Sequence, residues 1–336
     1  MKAIVLHSVG EPEALHLEDV PDPTPGPGQV VVRLRAAALN HRDLFICRGQ
    51  YAGLRFPIIP GSDGTGEVVA VGDGVTGVRR GASVVINPSL DWGDDPRAFG
   101  PRFRILGLPD NGTFAELIAV PAANVLPRPN GLTDEEAAAI PLCGLTAYRA
   151  VVTRGQVQRG ETALVLGIGG GVATCALLVA KHAGARVLVT SGSDAKLARA
   201  QALGADGGFN YKTADWVAGA REATGGRGPE LIVDGTGGVT FERALDAARP
   251  GGRVVSYGAT TGNVPELTTR RVFWKQLTVL GSTMGTPEDF RAMLALFGQG
   301  RPRPVVDEVF PLAEAGRALG RMERAEQFGK IVLRII

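Results

Sequence analysis

One segment near the middle of the chain limits the possible folds more than any other. Residues 162–173 read Thr-Ala-Leu-Val-Leu-Gly-Ile-Gly-Gly-Gly-Val-Ala, an apolar run that passes through glycines into a helix-like run. A buried strand, a glycine turn and a helix N-terminus let the backbone approach a phosphate and present oriented N–H donors to it. Gly167 and Gly169 fit the pattern G-x-G-x-x-G/A, but the third small residue, Ala173, comes one place late. The segment predicts a dinucleotide pyrophosphate site, with a purely structural strand-to-helix turn as the alternative.

The apolar pattern on either side of this segment predicts two kinds of domain. From Thr133 onward, strand-like runs such as 186–190 alternate with helix-like runs such as 195–203, which indicates βαβ units and a parallel sheet. The first 125 residues contain short Val-, Ile- and Leu-rich runs separated by Pro and Gly, which favour a mostly β domain. A length of 336 residues agrees with two domains, so we predict an α/β fold.

Charge and cysteine content exclude several classes of protein. The 36 Lys and Arg residues nearly balance 34 Asp and Glu residues, so no basic excess points to nucleic acid. The uncharged run from Ala163 to Ala180 is divided by its glycines, and we expect no membrane span there. Three cysteines without a C-x-x-C pair, and an N-terminus without a long apolar run, lead us to expect a cytoplasmic protein.

The end of the second strand of the βαβ region indicates which dinucleotide is bound. NAD enzymes usually place an Asp or Glu there, to hold the ribose 2′-hydroxyl. Here the strand ends at Ser191-Gly192-Ser193 without an acid, and Asp194 is placed to cap the following helix. Without a carboxylate to repel it, a 2′-phosphate can be bound by hydroxyl groups and by Lys196. We therefore predict NADPH as the cofactor.

Over nearly its whole length the chain resembles the medium-chain dehydrogenase/reductase superfamily. The segment Gly61–Val75 matches the glycine and valine spacing of the zinc alcohol dehydrogenase pattern GHExxGxxxxxGxxV. The resemblance implies a discontinuous GroES-like β-barrel catalytic domain, residues 1–125 and 286–336. It also implies a Rossmann doubly wound parallel-sheet domain, residues 126–285.

The chain departs from this pattern at the positions that hold zinc in the zinc enzymes. Asn40 replaces the first cysteine ligand, Ser62 replaces the histidine of GHE, and only Cys143 remains. Zinc prefers nitrogen and sulfur ligands in a tetrahedron, so one thiolate with an amide and a hydroxyl is a poor site. The 88–112 segment, where the structural zinc lobe would lie, contains no cysteine. We expect no bound zinc; the alternative zinc site would use Cys143 and Asp63, with His41 as a further candidate ligand.

Zinc-free members with these changes resemble the NADPH-dependent quinone oxidoreductases. The resemblance places Asn40 near the nicotinamide and Tyr51 at the substrate cleft, while Arg42 occupies the hydroxyl-relay position. These three side chains are the candidate catalytic residues, as donors to a developing oxyanion. The cofactor contacts that the residues and the resemblance predict are Thr146, Gly167, Gly169, Gly170, Gly171, Val172, Ser191, Gly192, Lys196, Tyr211, Gly258 and Arg324.

The expected reaction is therefore NADPH-dependent hydride transfer to a small molecule, either a quinone or an α,β-unsaturated carbonyl. Two alternatives stay open: a zinc-dependent alcohol dehydrogenase, and a non-enzymatic relative that binds nucleotide or RNA. Residues 278–284 are predicted to form the last strand of the cofactor sheet. An exposed edge strand can pair with a second copy. The resemblance implies that this edge forms a dimer, so we expect a symmetric homodimer.

Overall fold

The computed structural model describes residues 1–335. Contacts divide the chain into two compact units. The first unit contains Met1–Cys143 and the described residues from Gly285 onward, and the second contains Gly144–Met284. Among the described residues, no helix has the length and apolar character needed to cross a membrane.

The strands of both units, in chain order, are β1 (Lys2–Leu6), β2 (Leu15–Asp19), β3 (Gln29–Ala38), β4 (Asp63–Val71), β5 (Ser83–Ile86), β6 (Ser89–Leu90), β7 (Arg104–Ile105), β8 (Leu117–Pro121), β9 (Val125–Pro127), β10 (Thr162–Val165), β11 (Arg186–Ser191), β12 (Gly207–Asn210), β13 (Leu231–Asp234), β14 (Arg253–Ser256), β15 (Thr278–Gly281), β16 (Val306–Pro311) and β17 (Lys330–Arg334).

The α-helices are α1 (His41–Cys47), α2 (Asp134–Ala138), α3 (Pro141–Tyr148), α4 (Gly171–His182), α5 (Asp194–Ala202), α6 (Trp216–Glu222), α7 (Gly238–Ala247), α8 (Thr269–Trp274), α9 (Pro287–Phe297) and α10 (Ala315–Glu323). A π-helix, Arg149–Arg154, continues α3, and short 3-10 turns cover Pro12–Ala14, Ala122–Asn124 and Leu312–Glu314.

The second unit is built around one parallel sheet. Its strand order is β12-β11-β10-β13-β14-β15, and every pairing between neighbours is parallel. Strands β10 and β13 are buried along their whole length, as expected for a sheet covered on both faces. The order reverses between β10 and β13, which is the doubly wound arrangement that opens a crevice at the carboxyl ends of the strands. The predicted Rossmann sheet is confirmed.

The first unit is built around a mostly antiparallel sheet of the predicted GroES-like kind. Its order is β16-β17-β3-β4-β5-β9, and β8 also pairs with β3. The central strand β3 pairs with β4 so that Ala38 lies opposite Asp63, and with β17 so that Ala38 lies opposite Val332. This register brings the end of β3, the start of β4 and the start of β17 together, although they are far apart in sequence.

The boundary between the units lies later in the chain than the sequence pattern places it. Residues 126–143, expected in the Rossmann domain, belong to the first unit. Helix α2 contacts β3, β4 and β17. It begins with the predicted capping pair, in which Thr133 Oγ1 accepts from the Glu136 N–H at 3.2 Å. A helix pattern alone does not show which sheet the helix will cover.

The 88–112 segment folds without cysteine into a small lobe of the first unit. The short strands β6 and β7 pair with each other. The ring centres of Trp92 and Phe103 lie 5.4 Å apart, and those of Phe99 and Phe103 lie 4.7 Å apart. Arg104 forms ion pairs with Asp91 and with Asp110. Aromatic packing and ion pairs therefore hold this lobe together.

Candidate active site

The predicted glycine turn of the second unit has the backbone geometry that a phosphate site requires. Gly167 has a φ of 67° and Gly169 a φ of 123°, both in the region that favours glycine. A Cβ on Gly169 would lie 2.9 Å from Lys196 Cδ, so the Lys196 side chain lies directly against this glycine. Gly170 is the N-cap of α4, and nothing lies within 4 Å of the point where its Cβ would be. The turn leaves open space at the N-terminus of a twelve-residue helix, which suits a pyrophosphate.

The tip of β11 lies next to basic and hydroxyl side chains. A Cβ on Gly192 would lie 2.9 Å from the Tyr211 ring and 2.8 Å from Lys212 Cε, so both side chains cover this glycine. Lys196 approaches from α5, against Gly169. Two lysines and a phenol around a strand end whose own residues lack a carboxylate suit a 2′-phosphate.

Two hydrogen bonds fix the turn that follows β11. The Ser193 N–H donates to Ser191 Oγ at 3.2 Å, and Ser193 Oγ accepts from the Lys196 N–H at 3.4 Å. The N-cap of α5 is Ser193 and not Asp194 as predicted; Asp194 is the first residue of the helix and accepts from Asn210 Nδ2 at 2.8 Å. Lys212 was not predicted from the sequence, although its place two residues after β12, the parallel neighbour of β11, is a signal that could have identified it.

The remaining predicted cofactor residues are distributed over both units. Gly171 and Val172 form the first turn of α4. Thr146 is buried in α3, with its Oγ1 4.0 Å from Met284 Sδ, and Gly258 follows β14. Arg324 belongs to the first unit, where its Nε donates to Glu326 at 2.7 Å. Contacts between these residues, Arg324 included, and a bound dinucleotide stay predictions.

A buried polar cluster, which we call the lysine cluster, occupies the first unit where β3, β4 and β17 meet. Its members are Asn40, Asp63, Cys143 and Lys330, and each exposes 5% or less of its surface. Asn40 follows β3, Asp63 begins β4, and Lys330 begins β17. Cys143 lies in the first turn of α3. Three of the four were candidates from the sequence; Lys330 was not, because lysine is rarely buried.

The Lys330 ammonium is the centre of this cluster. Its Nζ donates to Leu39 O at 2.6 Å, to Asn40 Oδ1 at 2.7 Å and to Asp63 Oδ2 at 2.8 Å. Cys143 Sγ lies 3.5 Å from the same nitrogen. Burial is the largest single influence and would lower the pKa of Lys330, but Asp63 and the other acidic groups around the ammonium together outweigh it, and the pKa is raised. The lysine is therefore charged inside the protein.

Asp63 connects the cluster to α3. Its Oδ2 also accepts from Asn40 Nδ2 at 2.9 Å, and its Oδ1 accepts from the Leu142 N–H at 2.7 Å. Because Asn40 Oδ1 faces the ammonium and Nδ2 faces the carboxylate, the orientation of the amide is fixed.

The donor set at these positions does not fit zinc. Burial raises the pKa of the Cys143 thiol to about 11, so the thiol is protonated at neutral pH. Ser62, at the histidine position, uses its Oγ to donate to Leu106 O and to accept from Arg42. An ammonium lies among the remaining donors. In residues 1–335, no three His, Cys, Asp or Glu side chains are grouped as metal ligands.

Arg42 is held by the protein around it. Its Nη1 donates to Ser62 Oγ and to Leu106 O, each at 2.7 Å, and its guanidinium carbon lies 5.0 Å from the centre of the Tyr51 ring. Tyr51 is half-buried and packs against the core of the first unit. These contacts hold the Tyr51 ring beside α1; donation from Arg42 or Tyr51 to a substrate stays a prediction.

Asp43 is a buried carboxyl that fixes the start of α1. Its Oδ2 accepts from the Asn40 N–H at 2.8 Å, while its Oδ1 is buried without a hydrogen-bond partner. Burial raises the pKa of Asp43 to about 6, in spite of the opposing effect of Arg42.

Both units match known protein families. The pattern of the alcohol dehydrogenase GroES-like domain matches residues 26–130, and that of the zinc-binding dehydrogenases matches residues 171–299. The zinc-type alcohol dehydrogenase-like protein YogA of Leptosphaeria maculans is 36% identical, over 96% of this chain and 94% of its own. An acryloyl-coenzyme A reductase of Metallosphaera sedula is 30% identical over 99% of each chain.

Solved structures agree with these matches. An NAD-dependent alcohol dehydrogenase has a TM-score of 0.96 and 43% identity over 100% of both chains. A crotonyl-CoA carboxylase/reductase in complex with NADP has a TM-score of 0.92 and 25% identity, over 100% of this chain and 95% of its own. A mycobacterial quinone oxidoreductase has a TM-score of 0.84 and 29% identity over 100% of both. With its GroES-like unit, its Rossmann unit and these relatives, the chain belongs to the medium-chain dehydrogenase/reductase superfamily of oxidoreductases.

Proposed function

We propose that this oxidoreductase uses NADPH to reduce a quinone or an α,β-unsaturated carbonyl, without a catalytic zinc ion. The observation that carries the proposal is the lysine cluster, in which an ammonium lies among the residues that align with the zinc-ligand positions. The glycine turn before α4 is the second part of the argument, because it suits a dinucleotide. A saturated ketone or an alcohol needs a strong Lewis acid to polarise its oxygen. A conjugated acceptor needs less help, because its negative charge is delocalised as the hydride arrives.

In this proposal, bound NADPH supplies the hydride, and the chain binds, orients and shields the reactants. Backbone N–H groups at Gly169–Gly171 would bind the pyrophosphate, and Lys196, Tyr211 and Lys212 would bind the 2′-phosphate. Asn40, Tyr51 and Arg42 are the candidate donors to the developing oxyanion. Tyr51 or water would supply the proton that completes the reduction.

Relatives of this chain include proteins named for this kind of reaction. The similar acryloyl-coenzyme A reductase, crotonyl-CoA carboxylase/reductase and quinone oxidoreductase are named for the reduction of conjugated acceptors. The similar NAD-dependent alcohol dehydrogenase favours a second candidate, alcohol oxidation with NAD.

An activity panel separates the two candidates. Purified protein is mixed with NADPH or NADH and a quinone, an enone, an alkenal or a saturated ketone, and separately with NAD and an alcohol, before and after chelator treatment. We expect oxidation of NADPH by the conjugated acceptors only, unchanged by the chelator. Alcohol oxidation with NAD that is lost with the metal would refute the proposal, and inactivity with every acceptor would favour a non-enzymatic nucleotide- or RNA-binding protein.

The cofactor preference has its own test. Loss of one contact to a charged phosphate costs about 1–3 kcal/mol, so Lys196→Ala should weaken NADPH binding by about 5- to 150-fold and leave NADH binding nearly unchanged. Lys181→Ala is the matched control, because Lys181 lies in the same unit and pairs with Asp206. Equal dissociation constants for NADPH and NADH in the unmodified protein would contradict the assignment.

We also propose that two copies associate through the edge of the second unit. Strand β15 lies at the end of the six-stranded sheet, and Val279 on it is 43% exposed. Phe273 and Trp274, shortly before this strand, are 64% and 74% exposed. Large exposed apolar side chains beside an unpaired strand edge favour association with a second copy.

A further inference from the structure

We propose that the Lys330 ammonium is an internal cation that takes the place of the zinc ion and keeps metals out of the site. Three of its neighbours, Asn40, Asp63 and Cys143, lie at or next to the positions that align with the zinc-ligand pattern. The fourth cluster member is the positive charge itself, which comes from β17. This inference deepens the zinc-free part of the proposed function and rests on it.

The coordination of the ammonium supports this assignment. A lysine ammonium has three N–H donors, and three oxygen acceptors lie 2.6–2.8 Å from Nζ. One of them, Asp63 Oδ2, carries the compensating negative charge. The side chains of Lys330 and Asp63 are 3% and 0% exposed, so water does not complete the shell. All three donors are used within the protein.

A closed shell of this kind differs from a catalytic metal centre. A catalytic zinc keeps one position open for water or substrate, whereas a structural zinc has all its positions filled by the protein. The Lys330 ammonium resembles the second case, because no N–H is left to polarise a substrate oxygen. Lys330 is therefore a positioning residue: it fixes the Asn40 amide and neutralises Asp63.

The strand register explains why the cation is built in rather than bound from solution. Ala38 of β3 lies opposite both Asp63 on β4 and Val332 on β17, and the Leu39 N–H donates to Ile331 O at 3.0 Å. These backbone bonds hold the start of β17 against the end of β3. A metal that entered the cluster would have to displace an ammonium that is carried by β17 and is hydrogen-bonded to residues after β3 and at the start of β4.

Cobalt uptake by a pair of variants tests the exclusion of metal. Asn40→Cys adds a second thiol beside Cys143 and Asp63 but keeps Lys330, and the double variant Asn40→Cys/Lys330→Ala also removes the ammonium. Both are titrated with Co²⁺, and bound metal is followed by thiolate-to-cobalt charge-transfer absorbance. We expect one Co²⁺ per chain in the double variant and at least tenfold weaker binding in Asn40→Cys alone. Equal affinities, or no uptake by the double variant, would overturn the inference.

A measurement on the unmodified protein does not depend on the folding of those variants. The chain has six lysines, and a side-chain ammonium becomes visible to ¹⁵N NMR at neutral pH when burial and hydrogen bonds slow its exchange with water. Lys275, which donates to three backbone carbonyls, can give a second such signal. We expect a protected ammonium that persists in Lys275→Met and assigns to Lys330; its absence would overturn the inference.

These readouts separate the inference from the proposed function. Cobalt uptake and ammonium protection are measured without cofactor or substrate. If both agree with the inference while no conjugated acceptor is reduced, then only the proposed reaction fails. If acceptors are reduced but Asn40→Cys binds cobalt as tightly as the double variant, then only the role of Lys330 fails.

Discussion

The Lys330–Asp63 ion pair gives the sharpest prediction about stability. Nζ and Oδ2 lie 2.8 Å apart, and both side chains are almost fully buried. At an effective dielectric constant of about 20, two unit charges at this distance attract each other by about 6 kcal/mol. Desolvation offsets much of this attraction in the intact pair, but removing one partner leaves the other charge buried alone, at a cost of about 3–5 kcal/mol.

We therefore expect Lys330→Met and Asp63→Asn each to lower the free energy of unfolding by about 3–5 kcal/mol at pH 7. The double variant should lose much less than the sum of the two, with a coupling energy of about 3 kcal/mol. The assay is urea unfolding of the four proteins, monitored by circular dichroism. Their free energies of unfolding are compared provided that all four show the same slope against urea concentration.

The exposed pair Lys2–Asp19 is the matched control. It has the same residue types at 2.6 Å in the same unit, but its side chains are 50% and 76% exposed. The corresponding Lys2→Met and Asp19→Asn variants should show far weaker coupling, because water screens the charges. Additive losses at Lys330 and Asp63, or a coupling no larger than at the exposed pair, would refute the reasoning.

Two further predictions concern pH and association. The pKa of Asp43 is raised to about 6 in the folded protein. The Asp43 carboxyl therefore binds a proton more tightly in the folded protein than in the unfolded chain. This protonation stabilises the folded protein at low pH, and the stabilisation is lost as the pH rises from about 4 to 6. Relative to the unmodified protein, Asp43→Asn should gain up to about 3 kcal/mol of unfolding free energy between pH 4 and pH 7 in urea titrations; a difference that does not change with pH would contradict the assignment. Val279→Arg should convert a dimer to a monomer in light scattering, because it places a charge at the proposed interface, whereas Val239→Arg, at another exposed valine of the same unit, should leave the dimer intact. A monomeric unmodified protein, or a Val279→Arg variant that still dimerises, would contradict the proposed interface.

Local patterns in the sequence predict the strand, turn and helix at the centre of the second unit. The run from Thr162 to Ala173 predicts a strand, a turn and a helix because each depends on neighbouring residues: apolar side chains for β10, glycines at positive φ, and a free helix N-terminus. The missing acid at the tip of β11 can likewise be found by counting from the glycine turn. The resemblance to the zinc enzymes pointed to Asn40, Ser62 and Cys143, and the types of these residues predict a poor zinc site.

Only the tertiary structure shows that a lysine lies among Asn40, Asp63 and Cys143. Lys330 is 290 residues from Asn40 in the chain, and its position before a short apolar strand resembles that of any solvated lysine. Its burial is decided by the pairing of β17 with β3, a contact between distant segments that local pattern does not specify. The assignment of α2 to the first unit has the same cause. Residue types decide which chemistry is possible, whereas strand register decides which charged groups meet in the interior.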